Sequence, residues 1–474
     1  MNPSRFLKSQ LALALLGLLL EIASSAAVAG AEMLNDWLWQ QAPAYQAWDI
    51  GGQLRLRYEI KDNAGSFPNR DFIADGQHNS NDFFTERLRL HAGYTPNPWF
   101  TAYAEVRSNL EKWDEREPSP DLDSINLGQA YLVIGNPQQC PLLAKIGRQE
   151  LSYGEQRFVG VGDWSNTGRT FDAAKLRYEN SDFWLDAFAG RVVVPFNGQF
   201  DVDNDYDWLW GLYGSTKTLI PWQETQLYFL ARNVGPGAPN AIVPGVPGTP
   251  STARNLYTIG TRWASTPGKL DGWDYSLEAA GQFGSIVQSN VWRKQESCAL
   301  FASGGYTWTQ AWGNPHLGLG YEFGSGDSNP NDGKVTTFEN LFGTIHRYYG
   351  TMDLFCQRNM RIPRLSTSLE PVKNLTITAD YLFFWLADTQ DYLYPESGSG
   401  RVGNGYGRHP TFNPYVGSEL DIVAKYTFPA LAELQLGFGH FFAGEYIQQC
   451  VASVPSNGGS VDANWAFMQV LFTF

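Results

Sequence analysis

The sequence predicts one all-β fold: a transmembrane outer-membrane β-barrel of about 18 antiparallel strands, with 16 as the alternative count, and with short periplasmic turns and long extracellular loops. Three observations predict it. Segments of about ten residues alternate apolar and polar side chains, again and again, along most of the chain. The connections between them alternate short and long. The composition fits a sheet with one greasy and one wet side: of 474 residues, 15% are aromatic and 17% charged, with mean hydropathy −0.30. Soluble chains usually carry about 25% charged residues.

The first element is an export signal. Arg5 and Lys8 precede the apolar run LALALLGLLL, which is followed by small residues. That run is shorter than the ~20 apolar residues of a membrane helix, and its flanks match a cleaved secretory signal. Cleavage is expected after Ala27-Val28-Ala29, with Ala29-Gly30-Ala31 as the alternative site, so residues 1–29 are assigned to the signal peptide. Residues 30–48 form an aromatic lead-in at the periplasmic mouth, and residues 49–474 form the barrel, with no second domain.

The strands follow in order. QLRLRYE sets Leu54, Leu56 and Tyr58 against Arg55, Arg57 and Glu59. TERLRLHAGY sets Leu88, Leu90, Ala92 and Tyr94 against Arg87, Arg89 and His91. FTAYAEVRS opposes Phe100, Ala102, Ala104 and Val106 to Tyr103, Glu105 and Arg107. RNLYTIGTRW and SELDIVAKY repeat the pattern, with Arg254, Thr258 and Arg262, then Glu419, Asp421 and Lys425, on the polar face. Short Pro/Asn-rich links fall near residues 95–98, 179–181, 312–315 and 371–374. Long polar links fall at 61–80, 111–122, 151–168, 235–251, 325–355 and 390–416. The last segment, AFMQVLFTF, has Ala466, Met468, Val470, Phe472 and Phe474 on one face; it is expected to pair with the first strand and close the ring, with Phe474 facing lipid.

The polar faces then define a lumen. Arg55, Arg57, Arg87, Arg89, Arg107, Arg254 and Arg262 are expected to point inward, interspersed with Glu59, Glu105, Glu419 and Asp421. Lys145, Arg148, Arg169, Lys175 and Arg177 join them from the segments around one long loop. The chain as a whole carries −14, yet this wall is weighted to cations, and a low-dielectric wall concentrates anions in such a channel. Tyr and Trp on the same face offer platforms for sugar rings. Arg–carboxylate bracing of the lumen is the competing reading of each arginine.

Other chemistry is thinly represented. No H-E-x-x-H or G-x-S-x-G motif accompanies the six histidines, so no catalysis and no cofactor is expected, and the net charge disfavours nucleic acid. Cys140, Cys298, Cys356 and Cys450 lack any C-x-x-C pair; they allow up to two disulfides, in three alternative pairings, or none. DVDNDYD stacks Asp201, Asp203 and Asp205 as a weak calcium candidate, against the reading of a solvated acidic loop. DSNPNDG resembles an EF-hand opening but has Asp332 where the sharp turn needs Gly.

Two blocks are more particular than generic barrel sequence: KIGRQELSYGEQRFVGVGDWSNTGRTFDAAKLRY (145–178) and GSGDSNPNDGKVTTFENLFGTIHRYYGTMDLF (324–355). Both resemble signatures of the alginate export family, and GSELDIVAKY with LGFGHFFAGEY resembles its C-terminal hairpin. The resemblance implies a monomeric barrel of about 18 strands, with an arginine-rich constriction that passes an anionic polysaccharide outward without energy input. It implies pore roles for Arg148, Arg157 and Arg169, with Glu150 and Asp172 as counter-charges. It places His346 and Arg347 in a loop folded over the channel. Acidic polysaccharide, outer-membrane lipid and periplasmic synthesis or scaffold proteins are the expected partners, in the envelope of a Gram-negative bacterium. An uptake porin for small anionic or sugar solutes is the alternative.

Overall fold

The computed structural model describes residues 31–65, 70–116, 119–235, 252–346, 348–429 and 432–474. The expected signal peptide and Arg347 lie outside the described residues.

The lead-in forms a helix, α1 (Ala31–Gln41), and a 3-10 turn (Pro43–Ala47). Asn35 ties it to the first strand, donating to Asp49 Oδ1 at 3.0 Å and accepting the Ile50 N–H at 2.9 Å. The strands are β1 (Trp48–Asp62), β2 (Ser80–Asn97), β3 (Phe100–Lys112), β4 (Asp123–Ile134), β5 (Leu142–Gln149) and β6 (Phe171–Glu179). Next come β7 (Phe183–Val194), β8 (Val202–Ile220), β9 (Gln223–Val234), β10 (Arg254–Ser265), β11 (Trp273–Gln288) and β12 (Val291–Thr307). The rest are β13 (His316–Gly324), β14 (Lys334–Val335), β15 (Met360–Val372), β16 (Leu375–Leu386), β17 (Tyr415–Phe428), β18 (Ala432–Ala443) and β19 (Ala463–Thr473).

All but β14, a two-residue strand inside a loop, form the wall: 18 strands, each antiparallel to its neighbours. The ring closes where β1 pairs with β19 in the register Leu54↔Phe472 to Asp62↔Asn464. Gly52 and Phe474 extend that ladder: the Gly52 N–H donates to the Phe474 carbonyl at 2.6 Å, and the Phe474 N–H returns the bond at 3.0 Å. Closure satisfies every edge, which a sheet in hydrocarbon requires.

Alternation sets the two faces. Leu227 and Ile259 stand 65% and 59% exposed on the outside of the wall, while Thr258 and Arg87 on the inside are almost fully covered. Exposed leucine and isoleucine are at home against lipid chains. Chain connectivity also follows expectation, with two exceptions at the long-loop end, one of them the link of residues 195–201 between β7 and β8, which is no longer than several short-side links. In the other, β11 and β12 are joined only by Ser289-Asn290, both at positive φ (52° and 62°), the geometry of a tight primed hairpin turn.

The long loops do not all extend outward. The loop of residues 149–171 and the loop of residues 324–360 fold back into the barrel and meet there, with a parallel bridge between Val159 and Phe342. Phe158, Phe338, Phe342, Met352 and Phe355 pack against wall residues Leu230, Leu256, Ile362, Phe384 and Phe441 in one buried cluster. A soluble core thus fills part of the lumen. The connection after β18 adds a second helix, α2 (Glu445–Ala452), which buries Tyr446, Ile447 and Cys450 in the same cluster. All four cysteines are free.

Candidate functional site: the lumen constriction

The arginines of β1–β3 hold the inner loop of residues 149–171 by its backbone. Arg55 donates to the carbonyls of Asp163 (2.6 Å) and Ser165 (3.1 Å), and Arg57 to that of Trp164 (2.8 Å). Arg87 reaches the Asp163 carbonyl and carboxylate, both at 3.0 Å, and Arg89 the same carboxylate at 3.3 Å. Arg107 binds Glu105 (2.7 Å), Glu150 (3.0 Å) and the Thr167 carbonyl (3.1 Å). These five side chains do face the lumen, but their donors are largely taken by the loop. Arg157, carried on that loop, forms a buried ion pair with Glu322 of β13 at 2.9 Å and lies over the Tyr348 ring. Arg262 reaches the loop from another side, at 2.8 Å from Glu155.

Two of the expected pore residues are placed elsewhere. Arg148 grips Asp172 with two bonds, 2.8 and 2.9 Å, across the β5–β6 register. Asp172 shares its strand face with Ala174 and Leu176, which are exposed on the outside of the wall. The physical reason is parity: Arg148 lies three residues from Lys145, and Asp172 lies three from Lys175, so each pair straddles the sheet. Lys175 and Arg177 face the lumen, both directed at buried Asp186. Lys425 also faces inward, at the short-turn rim beside Glu433 (3.4 Å). The weak metal candidate is dispersed: Arg191 pairs with both Asp203 and Asp205, while Asp201 accepts the Phe196 N–H at 2.8 Å. Among the described residues there is no group of three or more metal-ligating side chains.

Between the two inner loops and the wall lies a cavity of about 770 Å³. Its carboxylates are Glu59, Asp121, Glu339, Asp353 and Glu396; facing them are Lys61, Arg57, Arg116, Arg169, Arg232, Arg254 and Arg358. Four of the arginines share one corner. Glu339 lies 2.9 Å from Arg254, 3.3 Å from Arg358 and 3.5 Å from Arg232, and Arg232 also holds Asp207 at 2.6 Å. Arg169 donates to the backbone carbonyls of Gly160 and Phe342 and has no carboxylate partner among the described residues. Four guanidinium groups therefore meet two carboxylates. Burial raises the Glu339 carboxyl, but Arg254, Arg358 and Arg232 outweigh it and bring it down to about 2. Burial, and Arg232 after it, lower Arg169 to about 10, which leaves it cationic at neutral pH.

The far side of the cavity is a stacked clasp. Trp164 lies between the Arg57 guanidinium, 3.8 Å from the ring centroid, and the His346 imidazole, 3.9 Å away. His346 is held by Asp353 at 2.9 Å. Glu419 and Asp421 of β17 anchor the next turn, accepting the N–H groups of Met352 and Thr351, each at 3.0 Å. Among the described residues this site is a charged cavity between the inner loops and the wall. The sequence profile of the alginate export family matches residues 46–458.

The chain belongs to the alginate export family. Family and fold are those of outer-membrane channels, not enzymes. No curated protein matches the chain in a sequence search. The alginate-export barrel is similar in fold to solved outer-membrane porins. OccAB1 of Acinetobacter baumannii matches with TM-score 0.56 and 11% identity, over 90% of this chain and 97% of that one. OpdK of Pseudomonas aeruginosa, solved with vanillate, matches with TM-score 0.55 and 12% identity, over 90% and 98%. OccD3 (OpdP) of the same organism gives 0.53 and 14%, over 90% and 91%.

Sequence reasoning reached Arg169 and Arg254 in the cluster but missed Arg232 and Arg358. Arg232 was within reach, since Tyr228, Leu230 and Arg232 alternate on one face of β9. Arg358 sits in a loop, where no periodicity marks direction.

Proposed function

We propose that this channel exports an anionic polysaccharide, an alginate-like polyuronate, passively from the periplasm through its arginine-lined constriction. The observation that carries the reading is the cluster of Arg169, Arg232, Arg254 and Arg358 around Glu339 and Asp207. Two positive charges in excess, set in a low-dielectric wall, attract carboxylates. Spread over several guanidinium groups, they offer weak, exchangeable contacts instead of one deep site, which is what conduction needs. The barrel works as a monomer in outer-membrane lipid, receiving polymer from periplasmic synthesis or scaffold proteins.

Planar-bilayer recordings of the purified protein test this. Expected are anion selectivity in a salt gradient and current block by polyuronate. Arg169→Glu with Arg254→Glu should move the reversal potential toward cation selectivity. A cation-selective wild-type pore that ignores polyuronate would sink the reading. The second reading, uptake of small anionic or sugar solutes, draws support from the similarity to OpdK, which was solved with the carboxylate vanillate. It predicts flux of monomeric carboxylates without block by the polymer.

A further inference from the structure

We propose that the lumen wall, on the short-turn side of the arginine cluster, carries a carboxylate-binding subsite, formed by Lys145 and Lys175, where an acidic saccharide engages the channel before it reaches the arginines. The proposal rests on the export reading and gives it an entrance. Lys145 and Lys175 are direct cross-strand partners in the β5–β6 register, on the lumen face. Like charges placed opposite each other on a sheet are unfavourable unless something lies between them. The neighbouring carboxylate does not fill that role. Asp186 is gripped by Arg177 at 2.6 and 3.0 Å and by the Tyr153 hydroxyl at 3.0 Å, leaving Lys175 at 3.5 Å. Two cations, Arg177 and Lys175, thus share one buried acid.

Among the described residues no carboxylate comes within ion-pair distance of Lys145; Glu150, the acid that acts on it, is held by Arg107 and Arg89, and the ammonium sits 3.6 Å from the centroid of Tyr131. A π face fixes a cation in position without neutralising it. Tyr131 is in turn held by Tyr103, stacked at 4.9 Å and 16°, which His91 backs at 5.5 Å and 20°. The stack crosses three strands and aims one unneutralised ammonium into the lumen. Lys145, Lys175, Tyr131 and Tyr103 are all half-buried, so the lumen reaches them. The lysines lie at the middle of β5 and β6, whereas Arg232 and Arg254 of the arginine cluster stand at the long-loop ends of β9 and β10. A polyanion coming through the short-turn mouth meets this pair before the arginine cluster. Tyr131 is a positioning residue in this account, and the two ammonium groups make the contact.

The test uses the full chain in planar bilayers, with an oligouronate added to one face at a time. Wild type should be half-blocked at lower concentration from the short-turn face than from the long-loop face. Lys145→Gln should raise that concentration roughly ten-fold, the worth of one charge-assisted hydrogen bond. Tyr131→Leu should do the same, while Tyr131→Phe, which keeps the π face, should block as wild type does. Conductance and heat-modifiable gel mobility check that each variant forms the native barrel. Lys145→Gln and Lys175→Gln barrels that both block at the wild-type concentration would remove the subsite and leave the export reading standing. A wild-type pore blocked from neither face would overturn the export reading, and the subsite with it.

Discussion

The imidazole of His346 lies flat on the indole of Trp164, with centroids 3.9 Å apart and planes within 3°. The two residues come from different inner loops, so this contact joins the loops over the cavity. Arg57 of the wall covers the other face of the same indole, and Trp465 and Phe467 of β19 abut its edge at 5.8 and 5.0 Å. Trp164→Ala removes the centre layer of this stack. The expected outcome is a larger and noisier single-channel conductance, together with a loss of about 3 kcal/mol of stability. Bilayer recording and thermal unfolding in detergent read the two effects, and unchanged conductance would show that the clasp does not narrow the passage.

Arg157 and Glu322 are the buried ion pair that fixes the loop of residues 149–171 to β13. Removing one partner leaves an uncompensated buried charge, which costs about 3–5 kcal/mol. Arg157→Met should therefore lower the melting temperature sharply. Arg157→Met combined with Glu322→Leu should recover most of the loss, because an apolar pair of similar size needs no solvation. A double variant no more stable than the single one would mean that contacts of Arg157 with Tyr348 and Phe301, 3.7 and 4.8 Å from its guanidinium, carry the anchorage instead.

Glu339 gives a pH signature. Its carboxyl is held at about 2, below the ordinary 4.5, once the three arginines outweigh burial. A group with a depressed folded value stabilises the fold above its unfolded pKa and loses that contribution as pH falls. The window here runs from about 4.5 down to about 2. Across it, Glu339 should withdraw about 3 kcal/mol at most. Glu339→Gln should flatten that part of the stability profile, and at neutral pH it should increase anion selectivity by freeing Arg254 and Arg358. Acid titration of unfolding, wild type against variant, checks the first; the reversal potential checks the second.

How far these features were legible varies with their origin. Strand faces were legible because period-two alternation is local: Arg55, Arg87, Thr258 and Glu419 all fall inside as the pattern requires. Arg148 and Asp172 show the limit of reading residue type without parity, since a cation three places from Lys145 must face the other way. The inner loops were not legible. Phe158 and Phe342 pack together through contacts distant in sequence, and nothing in a polar, glycine-rich loop announces whether it folds inward or stands in solvent. The functional consequence is that most wall arginines serve the loops, and the unneutralised charge gathers where loop and wall meet.

The seam between β1 and β19 makes the last prediction. A Cβ added at Gly52 would lie 2.6 Å from the Phe474 ring and 2.8 Å from the Arg89 carbonyl, closer than real Cβ atoms come. The ring thus lies over a residue with no side chain, on the lipid side of the wall. Gly52→Ala should push the ring away and strain the last hydrogen-bonded pair of the barrel, slowing assembly. Phe474→Ala should spare the backbone pair but lose the ring's apolar cover. Combining the two should relieve the clash with the ring and leave the one with the Arg89 carbonyl, so the double variant should fold faster than Gly52→Ala alone, yet more slowly than Phe474→Ala. The appearance of heat-modifiable, fast-migrating barrel during refolding into detergent measures all three. Equal rates for Gly52→Ala and the double variant would show that the carbonyl, not the ring, sets the demand for glycine.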